Sequence, residues 1–486
     1  MIKRIRSKFA ELEARPIIQY GLLAVITLLA VVLRFYKLGE WSFWIDEIYT
    51  INHGRAHFSN LEKIIRNIPP AQNWIPLSVM LSAGVINVLG IGEWSARLVS
   101  AVIGILSIPI LYFPFRKIFG VRVTLIALLL LAISPWHIYW SQNARFYTSL
   151  LLLYTLALVT FYFGIERNQL RYFILFFVLL YLAISERQLA LFIVSVIAGY
   201  LIALWILKFD KPLGVNFRNI FLLCLPLIIG GLVETYSWIA NGESRFFGGF
   251  SWFFLYRNDD PIRLLGNISF NIGIPLMVLA MFSGIFLLIK KSRVGLLMLS
   301  SAVIPTVVLV AANPFIFTKD RYVFITLLCW VILAAYGINE LLKSTDGLHK
   351  WLSAAVLVML LLDAASANML YFKVNNGNRR DWKGAFALIN EQSSEGDLYI
   401  SYWPELGEYY LGKEAIAWEE IDPKTVLESG KRYWFVLDSE TIWANLKMKS
   451  WVEKNASLVE VKYLRTPDDF FLRIYLYDPV VNVSSQ

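Results

Sequence analysis

The chain alternates between long apolar runs and short, mostly basic breaks. Runs of spanning length cover about 17–38, 95–114, 119–135, 146–165, 171–185, 189–207, 218–239, 263–289, 294–312, 320–343 and 351–372. At ~1.5 Å rise per residue, each is long enough to cross a hydrocarbon layer of ~30 Å. The pattern predicts a polytopic α-helical membrane protein with about 11–13 transmembrane helices. The breaks carry Lys3/Arg4/Arg6/Lys8, Arg116/Lys117/Arg122, Arg167/Arg171, Lys208/Lys211/Arg218, Lys290/Lys291/Arg293 and Lys343/Lys350. If every run crosses once, all these clusters share the side of the N-terminus, which the positive-inside rule makes cytoplasmic. No small-residue cleavage site follows the first run, so it reads as a retained anchor. Residues 74–90 are apolar but short and follow Pro69, Pro70 and Pro76. Counting them as a crossing would invert every later loop, so they are expected to form a juxtamembrane or re-entrant helix on the outer face.

Composition agrees with this picture and excludes others. The chain is 57% hydrophobic and 17% charged, too apolar for one soluble core of this size. Its net charge of +9 sits in loop clusters, not on one face, which argues against nucleic-acid binding. Cys224 and Cys329 both fall inside apolar runs and suggest no disulfide framework. After Tyr371 the composition changes. Strand-like runs at Leu398–Tyr402, Tyr433–Leu437 and Phe470–Tyr477 alternate with helical patterns at Trp382–Asn390 and Ile442–Val452. The expected organisation is a membrane domain over 1–375, with outer loop 39–94, and an extracytoplasmic α/β domain over 376–486.

Three outward-facing segments carry candidate chemistry. The first, Leu38-Gly-Glu-Trp-Ser-Phe-Trp-Ile-Asp46-Glu47-Ile-Tyr49, places paired carboxylates beside aromatics just past a helix end. Such a pair can serve as general base, metal ligand or sugar-hydroxyl acceptor; the plainer reading is a solvated interfacial loop. The second, Ser134-Pro-Trp-His-Ile-Tyr-Trp-Ser-Gln-Asn143-Ala-Arg145-Phe-Tyr147, holds an arginine among aromatics. A guanidinium there suits a phosphate, or else snorkels to lipid headgroups. The third, Phe317-Thr-Lys319-Asp320-Arg321-Tyr322, adds two cations. His53 and His57, spaced i,i+4, would share a helix face, but no third ligand is placed by the sequence, so no metal site is expected.

These segments, in this order, resemble the lipid-phosphate-sugar-dependent glycosyltransferases that include protein O-mannosyltransferases and the aminoarabinose transferase of lipid A. Leu33-Arg-Phe-Tyr-Lys-Leu-Gly with Trp44-Ile-Asp-Glu looks like the family's first helix and acidic loop. Arg97-Leu-Val-Ser-Ala-Val-Ile-Gly, ending in Arg116-Lys-Ile-Phe-Gly, looks like its following helix, and Ser134-Pro-Trp-His to Tyr147 is similar to its Ser-Pro-x-His…Gln-Glu-Ala-Arg-x-Tyr pattern. Arg380-Asp-Trp-Lys-Gly opens the last domain as in bacterial members. The resemblance implies a GT-C-like fold and inverting transfer from a polyprenyl-phosphate sugar to a protein, lipid A-like lipid or glycan acceptor, with membrane lipids the other partner. It makes Asp46 the essential aspartate, with Glu47 its catalytic neighbour. Arg145, Arg321 and Lys319, with Tyr49 and Tyr147, would bind the donor phosphate. Two departures stand out: Asn143 replaces the family's glutamate, and Ile68-Pro-Pro-Ala-Gln-Asn-Trp-Ile-Pro-Leu77 lacks the histidine of His-Pro-Pro-Leu. No cofactor is required by these residues, although a divalent cation is compatible with them.

A transporter or flippase of lipid-linked sugars would also be polytopic and cationic. Transporters place ionisable groups at mid-membrane on broken helices or in paired repeats, whereas here the acidic pair lies in an outer loop. A scaffolding protein would leave Asp46, Glu47 and Arg145 without a role.

Overall fold

The computed structural model describes residues 15–58, 76–241, 260–343, 347–438, 445–462 and 471–480, with backbone alone described at 53–58, 241 and 347–350. The N-terminal basic cluster, the side chains of His53 and His57, and Pro69 and Pro70 lie outside the described set. Among the described residues, eight helices are long and apolar enough to cross a membrane, or nine if a pair bent by 92° forms one span. The chain is a multi-pass integral membrane protein.

The larger number expected from sequence has two physical reasons. Runs 95–114 and 119–135 join in one 41-residue helix, Glu93–Ile133, which is broken at Gly120. Gly120 takes φ 79, a backbone conformation that side chains with a Cβ avoid, and Arg116, Lys117 and Arg122 surround it. Forty-one helical residues would reach roughly 60 Å, about twice the hydrocarbon thickness, so the break separates two spans' worth of helix. The run at 171–185 forms Leu170–Glu186, only 17 residues long and at the lower limit for a crossing. The proline-preceded segment forms a 13-residue helix, Leu77–Leu89, too short to span.

Two compact units divide the chain: one of residues 1–36, 60–81 and 99–365, the other of 37–59, 82–98 and 366–486. In the first unit, the helices Tyr147–Arg167 and Leu327–Lys343 form the interior, the latter with every residue from Leu327 to Ala335 buried. Helix Phe217–Asn241 does the reverse, exposing Phe217, Leu232, Trp238 and Ile239, as a lipid-facing helix should. Close helix contacts depend on small residues. A Cβ at Gly337 would stand 2.1 Å from Ser283 Oγ on the neighbouring helix Ile274–Ile289. Cys224 and Cys329 are free thiols.

The second unit contains the sheet expected near the C-terminus. Its strands are β1 (Leu398–Ser401), β2 (Ile416–Ala417), β3 (Tyr433–Asp438), β4 (Ser457–Lys462) and β5 (Leu472–Tyr477), ordered β2-β1-β3-β5-β4. β1 runs parallel to β2 and β3, while β5 is antiparallel to β3 and β4. β3 is central and buried at all its positions, as its unbroken apolar run requires. Its Tyr433, Phe435 and Leu437 pack with Trp418, Val426, Met448 and Val452. Helix Trp382–Gln392 starts where Asp381 accepts from the Gly384 N–H at 3.0 Å.

Candidate active site

The acidic segment belongs to the second unit. Trp44 precedes helix Ile45–Phe58, and the Trp44 N–H donates to Glu47 Oε2 at 3.4 Å, the returning half of a capping box. Glu47 is fully buried and paired with the equally buried Arg97. Arg97 Nε donates to Glu47 Oε1 at 2.8 Å and Nη2 to Oε2 at 2.9 Å, a bidentate fork. Its other donors reach the carbonyls of Leu38 (3.1 Å), Trp41 (3.0 Å) and Ser42 (2.9 Å), and its guanidinium lies 5.2 Å from the Phe43 ring centre. Arg379 adds a second cation, 3.6 Å from Glu47. The loop from Leu38 to Trp44 is thus wrapped around one guanidinium.

Residues near the C-terminus complete this frame. Trp41 packs on Tyr371 and Phe372, with ring centres 5.1 and 5.8 Å away. Gly377, at φ 63, lies against its indole, where a Cβ would come within 2.5 Å. Ser42 Oγ accepts from the Lys383 N–H at 2.9 Å. The Phe43 N–H donates to Tyr410 Oη at 2.7 Å, and that hydroxyl donates to Glu93 at 3.1 Å. Asp46 stands half-buried on the first helical turn, its carbonyl accepting from Thr50 Oγ1 at 2.8 Å. Tyr49 Oη donates to Glu405 at 3.2 Å, and burial together with the Glu405 and Asp46 carboxylates pushes its phenol up to about 12.

The aromatic and cationic segments belong to the first unit. Ser134 caps the short helix Pro135–Ser141, accepting from the His137 N–H at 3.4 Å. The buried Arg34 donates to the carbonyls of Ala132 (2.8 Å) and Leu131 (3.3 Å), which end the preceding helix, and to His137 Nδ1 at 2.7 Å. That contact makes Nδ1 an acceptor, so His137 is neutral. Burial, and then Arg34, hold its imidazole well below the ordinary value. Gln142 Nε2 donates to the carbonyls of Arg34 (3.0 Å) and Tyr36 (2.8 Å), closing the end of helix Pro16–Phe35.

Arg145 follows, with its carbonyl accepting from Ser100 Oγ at 3.0 Å and its guanidinium 5.0 Å from the Phe146 ring centre. Arg187 lies 5.6 Å from the same ring, so two guanidinium groups share one aromatic platform. Tyr147 is buried against Trp140, with ring centres 3.9 Å apart. The turn Asp320–Thr326 joins this cluster through Phe324, whose ring contacts Trp136, His137, Trp140 and Tyr147. Arg321 lies in that turn and Lys319 is exposed just before it, over Phe317 at 5.2 Å. The second and third predicted segments are therefore one assembly.

Several of these residues were not anticipated. Arg187 is the cation of a very short polar break at 186–188, a signal present in the hydropathy pattern. Its neighbour Glu186 is buried and accepts from Ser78 N–H (3.1 Å) and Oγ (2.6 Å) at the start of helix Leu77–Leu89. Nothing in the sequence pairs residues 108 apart. Glu405 comes from a short helix, Pro404–Leu411, with little periodicity to read. Among the described residues no three His, Cys, Asp or Glu side chains come together to hold a metal ion.

Residues 69–229 match the family of dolichyl-phosphate-mannose-protein mannosyltransferases. ArnT from Cupriavidus metallidurans, in its apo state, superposes with a TM-score of 0.59 at 14% identity, over 94% of this chain and 98% of that one. The same protein bound to undecaprenyl phosphate superposes at 0.58, with 12% identity and the same coverage. The apo Archaeoglobus fulgidus oligosaccharyltransferase superposes at 0.60 with 12% identity, over 95% of this chain and 75% of that one. No curated protein matches by sequence. The chain has the GT-C glycosyltransferase fold. Within it, the mannosyltransferase match takes in the helix Leu77–Leu89, Arg97, and the segment from Ser134 to Tyr147.

Proposed function

We propose that the chain is a glycosyltransferase that moves one sugar, with inversion, from a polyprenyl-phosphate donor to an acceptor on the outer face of the membrane. The acceptor is a protein, a lipid or another glycan. The N-terminus is cytoplasmic, residues 1–375 carry the reaction, and residues 376–486 form a domain on the outer face. Asp46 takes the proton from the acceptor hydroxyl or amine as its lone pair attacks the anomeric carbon. The bond from that carbon to the phosphate oxygen breaks, and polyprenyl phosphate leaves with the electron pair. Arg145 and Arg187, with Arg321 and Lys319, stabilise the charge on that phosphate. Glu47 positions rather than reacts, because both of its oxygens are engaged by Arg97.

The observation that carries this reading is the contrast within one helical turn. Glu47 is locked in a buried ion pair, and Asp46, one residue earlier, is held by that lock yet half-exposed. Such a frame lets a general base keep its place without burying it. The test is to purify the full chain in detergent, identify bound lipids by mass spectrometry, and follow release of polyprenyl phosphate from a panel of lipid-linked sugars. Release from at least one donor, dependent on an added acceptor, supports transfer.

The flippase reading has one observation in its favour. Helices Pro261–Ile272 and Ile274–Ile289 are bent by 92° at Gly273, a broken helix of the kind found in transporters. Translocation of a lipid-linked sugar across proteoliposomes, with no release of carrier phosphate, would favour it over transfer.

A further inference from the structure

An apolar groove of about 820 Å³ opens where helix Phe192–Ile206 ends and helix Phe217–Asn241 begins. Leu201, Leu204, Ile206, Val215 and Ile220 line it, together with Lys208 and Lys211 from the loop between the two helices. Neither lysine has an ion-pair partner among the described residues. A third cation is close: Lys291 donates to the Leu207 carbonyl at 2.5 Å and lies over the Phe209 ring at 5.0 Å. Arg293 also reaches this loop, donating to the Asp210 carbonyl at 3.3 Å, but its charge is matched by Glu166 at 2.6 Å. The exposed Asp210 is the loop's one carboxylate, so positive charge is in excess at the rim.

The surroundings point to a membrane ligand. Trp205, also lining the groove, is 82% exposed, and Phe217 is 87% exposed at the start of the next helix, aromatics placed as at a lipid–water boundary. The groove's volume lies in the range of small-ligand sites, yet its lining is apolar apart from the two loop lysines. A soluble anion would gain nothing from the walls, and a neutral lipid nothing from the lysines. We propose that the groove holds an anionic phospholipid, its acyl chain against Leu201, Leu204 and Ile220 and its phosphate headgroup at Lys208 and Lys211. Basic pockets at the ends of membrane helices bind such headgroups by the same charge complementarity. The site stands apart from the transfer reading and does not rest on it.

The test uses the full chain in detergent, titrated with phosphatidylglycerol or phosphatidylcholine of matched acyl chains, with bound lipid read by native mass spectrometry. Wild type is expected to retain phosphatidylglycerol in preference to phosphatidylcholine. The double variant Lys208→Gln/Lys211→Gln is expected to lose about tenfold in phosphatidylglycerol retention, with phosphatidylcholine unchanged. Leu204→Trp, which fills the groove, is expected to reduce retention without changing the lysines. Both lysines are exposed, so the double variant should fold, and unchanged thermal unfolding would verify that. Equal retention of the two lipids by wild type, or undiminished phosphatidylglycerol in the double variant, would overturn the proposal. So would displacement of the lipid by polyprenyl phosphate, which would assign the groove to the donor.

Discussion

Two fully buried arginines, Arg97 in the second unit and Arg34 in the first, each anchor a candidate segment, and they do so differently. Arg97 has an anion, Glu47, gripped by two of its donors, with three carbonyls from one loop taking the rest. Arg34 meets carbonyls and a neutral imidazole, and among the described residues no carboxylate pairs with it. The first arrangement fixes a loop to a charge of opposite sign. The second relies on helix-end carbonyls, which carry partial negative charge, and on His137 staying unprotonated. On the proposed reading the charge-paired frame belongs to the acidic loop, where a base would be positioned, and acid sensitivity to the aromatic cluster.

The largest effect should come from breaking the matched pair. Glu47→Gln leaves Arg97 and Arg379 buried without their anion, and loss of one partner of a buried pair costs about 3–5 kcal/mol. Unfolding in detergent, followed by circular dichroism, should show a loss of that order, together with loss of activity. Next comes His137→Phe, which removes the acceptor of a charged hydrogen bond and should cost about 1.5–3 kcal/mol. The same histidine predicts a pH effect. Unfolded, His137 takes up a proton near its ordinary value of 6.5, whereas in the fold it stays neutral well below that. The unfolded state then binds more protons, so stability is full above about pH 6.5 and declines as pH falls, by up to ~1.4 kcal/mol per unit. Wild type should lose more stability between pH 7 and pH 5 than His137→Phe does, and equal slopes would remove His137 as the cause. The smallest effect on stability should come from Arg187→Ala and Arg145→Ala at their partly open platform. Both should instead weaken donor binding, by about 1.5–3 kcal/mol for each charge-assisted hydrogen bond lost. Lipid-phosphate titrations by native mass spectrometry would read that difference directly.

Much of the membrane architecture was legible in the sequence because a span must be apolar along its whole length. The break at Gly120 coincides with the basic cluster Arg116, Lys117 and Arg122, so the pattern separated two runs where the backbone itself leaves helical geometry. In the C-terminal region β3 was visible as an unbroken apolar run and the helix at Trp382 by its helical spacing of apolar residues. The two-residue β2 was too short for any periodicity, and β4 carries Glu460 and Lys462 along an edge. Of the site, residue types were legible and pairings were not. Asp46 and Glu47 look alike as neighbours in a chain. Only folding shows that Arg97, fifty residues away, pairs with Glu47. Likewise Phe324, a hub for the aromatics of the second segment, is one of 33 phenylalanines in the sequence.

The most direct test of the account separates those neighbours. Wild type and Asp46→Asn would be purified in the same detergent, checked for equal thermal unfolding and equal retention of polyprenyl phosphate, and assayed for release of carrier phosphate from a lipid-linked sugar. Matching stability and carrier binding are expected, with release abolished in Asp46→Asn. Release at the wild-type rate from Asp46→Asn would contradict this and remove Asp46 as the base.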